Sequence, residues 1–352
     1  MTDFQLVSRR GFDGLFGKFA ATLALGLGII LPMPLAAWAQ TTAKEPAALV
    51  AAALKEGRLT LLTANHAEDE KALVTGFNKK YPGIKVEVSR GVNMQILPKI
   101  EAGAQKGQLD ADIVSLTERS AAIRMSKYYT DYAPPNANDY ETLGGKREKI
   151  WTRFVFAPVI AYNSQLVTDP PKDWMDVLDP KYAGKVGIVT IESGGTSWTL
   201  GQYQRIKVNP DYWSKLAAIK PVIYSSGAQL GSALISGEVQ IGFSYLSVLG
   251  AQIAQGAPIK VLYPKSGVPG TPEATAILLS AKHPNAAKLY MDYALSKEGQ
   301  EIVVGLGHFT LLKSVQTAHL ADRPTLWFAS AEENARRDQW IKEWAGIFGV
   351  GK

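Results

Sequence analysis

Gly57-Arg58-Leu59-Thr60-Leu61-Leu62-Thr63, followed at once by Ala64-Asn65-His66, is the stretch that decides the fold. A short apolar run that breaks straight into a polar loop reads as a buried strand with its end at a loop. A short helix precedes it. Downstream, residues 68–80 carry Leu73, Val74 and Phe77 on one face at helical spacing, and Tyr81-Pro82-Gly83 stops that helix. Ile84-Lys85-Val86-Glu87-Val88 alternates apolar and polar, the mark of a strand. Residues 93–104 read as a second helix, and Ala111-Asp112-Ile113-Val114 as a third strand running into a polar loop at 115–120. The β-α-β-α-β order predicts a mostly parallel sheet with helices on its faces.

The same rhythm recurs further along. Residues 154–163, from Phe154 to Asn163, read as one extended apolar strand long enough to pass between two lobes. A turn-rich stretch at 170–185 follows. Strands are predicted at 186–190, 221–224, 241–245 and 273–280, with helices at 198–205, 210–219, 229–236 and 283–295. Another helix starts at Lys297-Glu298-Gly299, and the tail from 322 reads as amphipathic helix carrying Trp327, Trp340 and Trp344. No repeat or low-complexity linker interrupts the chain, so the lobes are expected to be joined by strands and not by a tether.

Composition narrows the class. The chain has 352 residues, a formal net charge of +6 and no cysteine. Residues 40–352 are too many for one ordinary core and suit two lobes. The missing cysteines exclude disulfides, thiolate chemistry and cysteine-bound metals. The charges are scattered, without the basic stripe that a nucleic-acid surface needs. At the start, Ser8-Arg9-Arg10-Gly11-Phe12, an apolar run over 19–31 and Ala37-Trp38-Ala39 read as an export signal of twin-arginine type, cleaved before Gln40. A general secretory signal and a retained anchor are the alternatives. Against the anchor, the apolar run is short for a span and Pro32 and Pro34 interrupt its end.

In open α/β sheets ligands lie beyond the carboxyl ends of the strands. That rule selects the loops at 63–68, 115–120, 191–198, 224–229 and 244–247. In Ser193-Gly194-Gly195-Thr196-Ser197-Trp198, hydroxyls sit beside the free amides of a helix start, which is the chemistry of an anion site. Trp198 offers a packing wall or a cation–π face. Ser225-Ser226-Gly227 follows the same logic. For both loops the structural alternative is a plain helix N-cap. No nucleophile elbow, zinc-protease motif, phosphate loop or dinucleotide fingerprint is present, so the chain is expected not to be an enzyme.

Four stretches together resemble one family: 77–86 (Phe-Asn-Lys-Lys-Tyr-Pro-Gly-Ile-Lys-Val), 111–114 (Ala-Asp-Ile-Val), 176–186 (Asp-Val-Leu-Asp-Pro-Lys-Tyr-Ala-Gly-Lys-Val) and 284–300, which opens Pro-Asn-Ala-Ala-Lys-Leu-Tyr. In this order they resemble the extracellular solute-binding proteins of ABC importers, in the branch that takes ferric iron, phosphonates, sugar phosphates, thiamine and polyamines. The resemblance implies an α/β, type II periplasmic-binding fold, with two lobes joined by crossing strands around a central ligand cleft. The expected lobes are 40–158 with 271–315, and 159–270 with 316–352. It also implies a periplasmic monomer that binds a small ligand and serves ABC permease subunits in the inner membrane, without nucleic acid. A ligand-sensing subunit for a membrane receptor would have the same fold.

By the same resemblance His66 lies where ferric-binding relatives place a histidine. Glu118 lies near their carboxylate, one residue out of register, and Tyr245 where they have a tyrosine pair. Here Tyr245 is followed by Leu246, so the adjacent phenol is missing. The expected ligand is therefore an organic or phosphorus-containing anion, bound through His66, Glu118, Ser193, Thr196, Ser197, Trp198, Ser225, Ser226 and Tyr245. Fe(III) as the transported ligand, held by His66, Glu118 and Tyr245, is the alternative. No resident cofactor is implied.

Overall fold

The computed structural model describes residues 46–350 apart from 92, 107–108, 142–148 and 316–323. The export signal read in residues 1–39 lies outside the described residues. Helix α1 (Ala47–Glu56) leads into β1 (Arg58–Thr63), α2 (Ala67–Lys80), β2 (Lys85–Arg90), α3 (Asn93–Lys106), β3 (Ile113–Leu116) and the short α4 (Arg119–Arg124). Strand β1 is parallel to both β2 and β3, with Thr63 in register with Arg90 on one side and Ser115 on the other. The amphipathic logic of α2 holds: Leu73 and Phe77 are fully buried, and Val74 is packed against the same core.

The extended run predicted over 154–163 is two strands, β4 (Val155–Phe156) and β5 (Val159–Asn163). Pro158 has no N–H to offer a ladder, so pairing stops there. Next come β6 (Val186–Val189), α5 (Gly195–Tyr203), α6 (Tyr212–Ala218), β7 (Val222–Tyr224), α7 (Gly227–Ser236), β8 (Ile241–Ser244), α8 (Leu246–Ala254) and β9 (Ile259–Leu262). They build a five-stranded sheet in the order β7-β6-β8-β5-β9. Helix α5 starts three residues earlier than predicted, so Thr196, Ser197 and Trp198 belong to its first turn and not to a loop.

The chain then returns through β10 (Val268–Pro269), β11 (Thr271–Pro272) and β12 (Ala274–Ile277). Strand β12 completes the first sheet, β12-β3-β1-β2, antiparallel to β3. Strand β11 is antiparallel to β4, so the outgoing and returning segments pair where they pass from one sheet to the other. Helices α9 (Pro284–Ala294) and α10 (Lys297–Gly305) pack with the first sheet's helices. The tail is not one helix: β13 (Leu326–Trp327) pairs with β10, and α11 (Ala331–Ala335) and α12 (Arg337–Phe348) follow. Strand pairing took Trp327 out of the helical pattern. Trp344 and Trp340 of α12 are buried as the pattern predicted.

One apolar core runs from Leu73 and Phe77 through Phe154, Phe156 and Phe309 at the crossing to Trp174, Trp213 and Phe243. Each such side chain removed from water contributes about 1.5–3 kcal/mol. Both sheets thus share a continuous core at the crossing, while their polar loops meet on one side.

Candidate ligand-binding site

The site is built where strands β1, β3, β6 and β8 end. From the first lobe, β1 runs into Asn65 and His66. His66 precedes α2 in extended conformation and makes no capping bond with its side chain. Its ring lies edge-on to Phe156 of the crossing strand, centroids 6.1 Å apart. The ring is solvent-accessible, yet protein surrounds it on most sides. That desolvation holds its pKa below the ordinary imidazole value; Asp69 opposes the shift, and the charges of His308 and Arg90 reinforce it. The imidazole is therefore biased toward the neutral form.

Arg90 was missed at the level of sequence. It ends β2 in register with Thr63, and its Nε donates to the Asn65 carbonyl oxygen at 2.6 Å. The strand-end rule would have found it had it been applied to the second strand. Asn65 was missed too. Its Nδ2 donates to Glu70 Oε1 at 2.9 Å and to Ser115 Oγ at 3.1 Å. Those acceptors fix the amide's orientation and leave Oδ1 buried without a hydrogen-bond partner among the described residues. From β3 the chain reaches Thr117 and Glu118. Thr117 is pinned by Asn93, whose Nδ2 donates to Thr117 Oγ1 at 2.9 Å.

From the second lobe, α5 presents its first turn. Gly194 precedes it in extended conformation and has no side chain to cap the helix. Its leading amides and partial positive charge remain available to an anion. Ser193 Oγ and Ser197 Oγ lie 2.9 Å apart. Burial raises the Tyr245 phenol well above the usual tyrosine value, and the nearby Thr196 hydroxyl lowers it only in part. Tyr245 is therefore a neutral phenol at physiological pH. Ser197 and Tyr245 also line one small cavity with Gln204 and Phe243. Beside Tyr245, the hydroxyl of Ser244 is buried without a hydrogen-bond partner among the described residues. Buried polar atoms left unpaired by protein are places where water or a bound solute is expected to complete the hydrogen bonding.

The two sides approach closely. A methyl group added at Gly195 would stand 2.5 Å from the Thr117 carbonyl oxygen. Glu118 Oε2 lies 3.7 Å from Arg337 Nη1 at the start of α12. On the other flank, Leu246 packs onto Gly307, where an added methyl would meet Leu246 Cδ2 at 2.5 Å.

Not every expected residue joins this group. Trp198 packs into the core. It is buried, its indole N–H donates to Asn334 Oδ1 at 3.2 Å, and its ring packs on Trp340 at 6.0 Å. Ser226 caps α7 by accepting from the Gln229 N–H at 3.3 Å, and Ser225 Oγ donates to Gln229 Oε1 at 2.8 Å. This pair closes its own helix start, the structural alternative raised for it. Among the described residues no three His, Asp or Glu side chains gather as a metal-binding group. An iron site here would have to rest on Tyr245.

Comparison with known proteins gives the same picture. The family described as bacterial extracellular solute-binding protein matches residues 72–329. A Haemophilus influenzae protein of uncharacterised function is 31% identical over 140 residues, 39% of this chain and 40% of that one, so the chain spans less than half of that relative. The Fe(3+)-binding periplasmic protein of Serratia marcescens is 25% identical over 281 residues, covering 72% of this chain and 78% of that one. Among solved structures, the periplasmic binding protein AfuA from Actinobacillus pleuropneumoniae, with fructose-6-phosphate bound, superposes with a TM-score of 0.64 at 21% identity, over 84% of this chain and 100% of that chain. The architecture described above is that of these type II periplasmic binding proteins.

Proposed function

We propose that this chain, which belongs to the bacterial extracellular solute-binding protein family, captures a small anionic organic or phosphorus-containing solute between its two lobes. Its place is the periplasm, where as a monomer it serves ABC permease subunits in the inner membrane. It binds and releases its solute without turning it over. The lobes are 40–158 with 271–315, and 159–270 with 316–352; the start of the second sheet at Val159 and the return of β12 to the first support these bounds.

The observation that carries the reading is the start of α5, left open at Gly194, with Thr196 near Tyr245, facing the first-lobe loop at Thr117. A helix start left open by its own side chains favours an anionic group. His66 and Arg90 stand at the strand ends of the first lobe and supply donors to the same solute. The test is calorimetry with inorganic phosphate, phosphonates, sugar phosphates and carboxylates, guided by mass spectrometry of what co-purifies. Thr196→Val with Tyr245→Phe is expected to weaken the best solute more than about tenfold, the loss of one or two hydrogen bonds to a charged group. Unchanged affinity in the double variant would sink the reading.

The iron-binding Serratia relative favours a second reading, with Fe(III) as cargo on His66, Glu118 and Tyr245. Two observations weigh against it: Glu118 is engaged by Arg337, and the neighbouring position holds Leu246 packed on Gly307. Ferric loading decides between the two. A tyrosinate charge-transfer band in the visible supports iron, and a colourless protein removes it.

A further inference from the structure

We propose that Glu118 and Arg337, together with Gly195 seated on Thr117, form a clasp that holds the two lobes shut. The pair therefore sets closure and does not contact the solute. The inference rests on the reading of this chain as a two-lobed solute binder.

The partners belong to different lobes. Glu118 lies two residues beyond β3 and immediately precedes α4, in the lobe of the four-stranded sheet. Its Oε1 also accepts from Ser120 Oγ at 3.4 Å, which orients the carboxylate. Arg337 opens α12, which packs on α6 and on the turn at Ile191–Ser193 in the lobe of the five-stranded sheet. That helix is firmly seated. Trp340 packs against Trp213 at 5.8 Å, Arg205 stacks over Trp340 at 4.6 Å, and Arg205 Nη1 pairs with Glu343 Oε2 at 2.6 Å. Arg337 is thus carried on a rigid element. Its 3.7 Å approach to Glu118, with side chains 32% and 22% exposed, is made across the gap.

Gly195 supplies the steric half. The atoms a Cβ there would meet are the Thr117 carbonyl oxygen and carbon and the Glu118 Cα, all backbone of the opposite lobe. Backbone cannot swing aside as a flexible side chain can. Within α5 itself alanine would be the better helix former, by up to about 1 kcal/mol. The need for glycine therefore comes from the seam and not from the helix.

The absence of cysteine allows a direct test by paired spin labels. Leu279 on the first lobe and Met175 on the second are exposed, and both are changed to cysteine in the full mature chain. Electron–electron distances are then measured with no solute added. Glu118→Gln and Arg337→Gln are each expected to lower the ratio of short-distance to long-distance populations about two- to five-fold, as for a partly exposed ion pair. The exchanged pair, Glu118→Arg with Arg337→Glu, is expected to restore it. Gly195→Ala is expected to remove the short-distance population while leaving the melting temperature unchanged or higher. In wild type, 1 M salt is expected to act as Glu118→Gln does, and to add little to that variant. Distance distributions unchanged in both single charge variants overturn the clasp, and so does an exchanged pair that fails to restore closure. Because no solute is present, those failures leave the solute-binding reading intact. A broad solute panel that never shortens the wild-type distance would sink that reading alone.

Discussion

Arg153 and Glu273 meet under the two crossing strands, guanidinium Nη2 2.8 Å from carboxylate Oε1, with both side chains fully buried. Arg153 lies just before β4 and Glu273 just after β11, so one ion pair ties the segment leaving the first lobe to the segment returning. Glu70 of α2 takes the same guanidinium in bidentate fashion, at 2.9 and 2.8 Å, and Ser115 Oγ accepts from it at 2.9 Å. Burial works against the charge, but Glu70 and then Glu273 hold Arg153 protonated beyond its already high range.

Removing Arg153 from this buried group leaves two carboxylates, Glu70 and Glu273, uncompensated. Arg153→Met is expected to destabilise the protein by about 3–5 kcal/mol. Urea denaturation of the protein measures it. A loss below about 1 kcal/mol would show that the network can relax or take up protons without the arginine.

His66 makes a pH-dependent prediction. Its folded pKa lies below the ordinary value of about 6.5. Below about pH 6.5 the unfolded chain therefore binds the proton more readily, and acid favours unfolding through this group. Wild type is expected to lose more stability than His66→Gln as pH falls from 7.5 toward 5. Nuclear magnetic resonance titration of the ring should give a midpoint under 6.5. Parallel stability curves, or a midpoint above 6.5, would contradict it.

Trp198 should behave as core. Trp198→Ala removes a buried ring that packs on Trp340 and is expected to lower stability by about 3–5 kcal/mol. Trp198→Phe keeps most of the packing and loses the bond to Asn334. Under conditions where it is folded, its affinity for whatever solute the wild type binds should be unchanged within about twofold. A tenfold loss would return the ring to the binding surface.

Ser226 separates capping from binding. Ser226→Ala is expected to reduce stability by about 0.5–2 kcal/mol through the loss of the α7 cap. Solute affinity, measured by calorimetry on the same samples, should not move. Weakened binding without lost stability would give Ser226 back its anion-site role.

Features that depend on near neighbours are legible in the chain's own order of residues. The period-two and period-3.6 patterns around β1, α2 and β2, and the breaks at Tyr81-Pro82-Gly83, are written within a few residues. The α/β alternation and the strand-end loops followed from them. Their order also carried the family. The boundary of α5 was misplaced because Gly195, Thr196 and Ser197 are weak helix formers that packing nevertheless recruits into the first turn. Long-range packing set the surroundings of that turn, putting Thr196 near Tyr245 and Trp198 on Trp340. Only it brought Arg153 to Glu70 and Glu273, and Glu118 to Arg337. Those partners stand tens to hundreds of residues apart, and their energies depend on desolvation and distance, which no local pattern encodes.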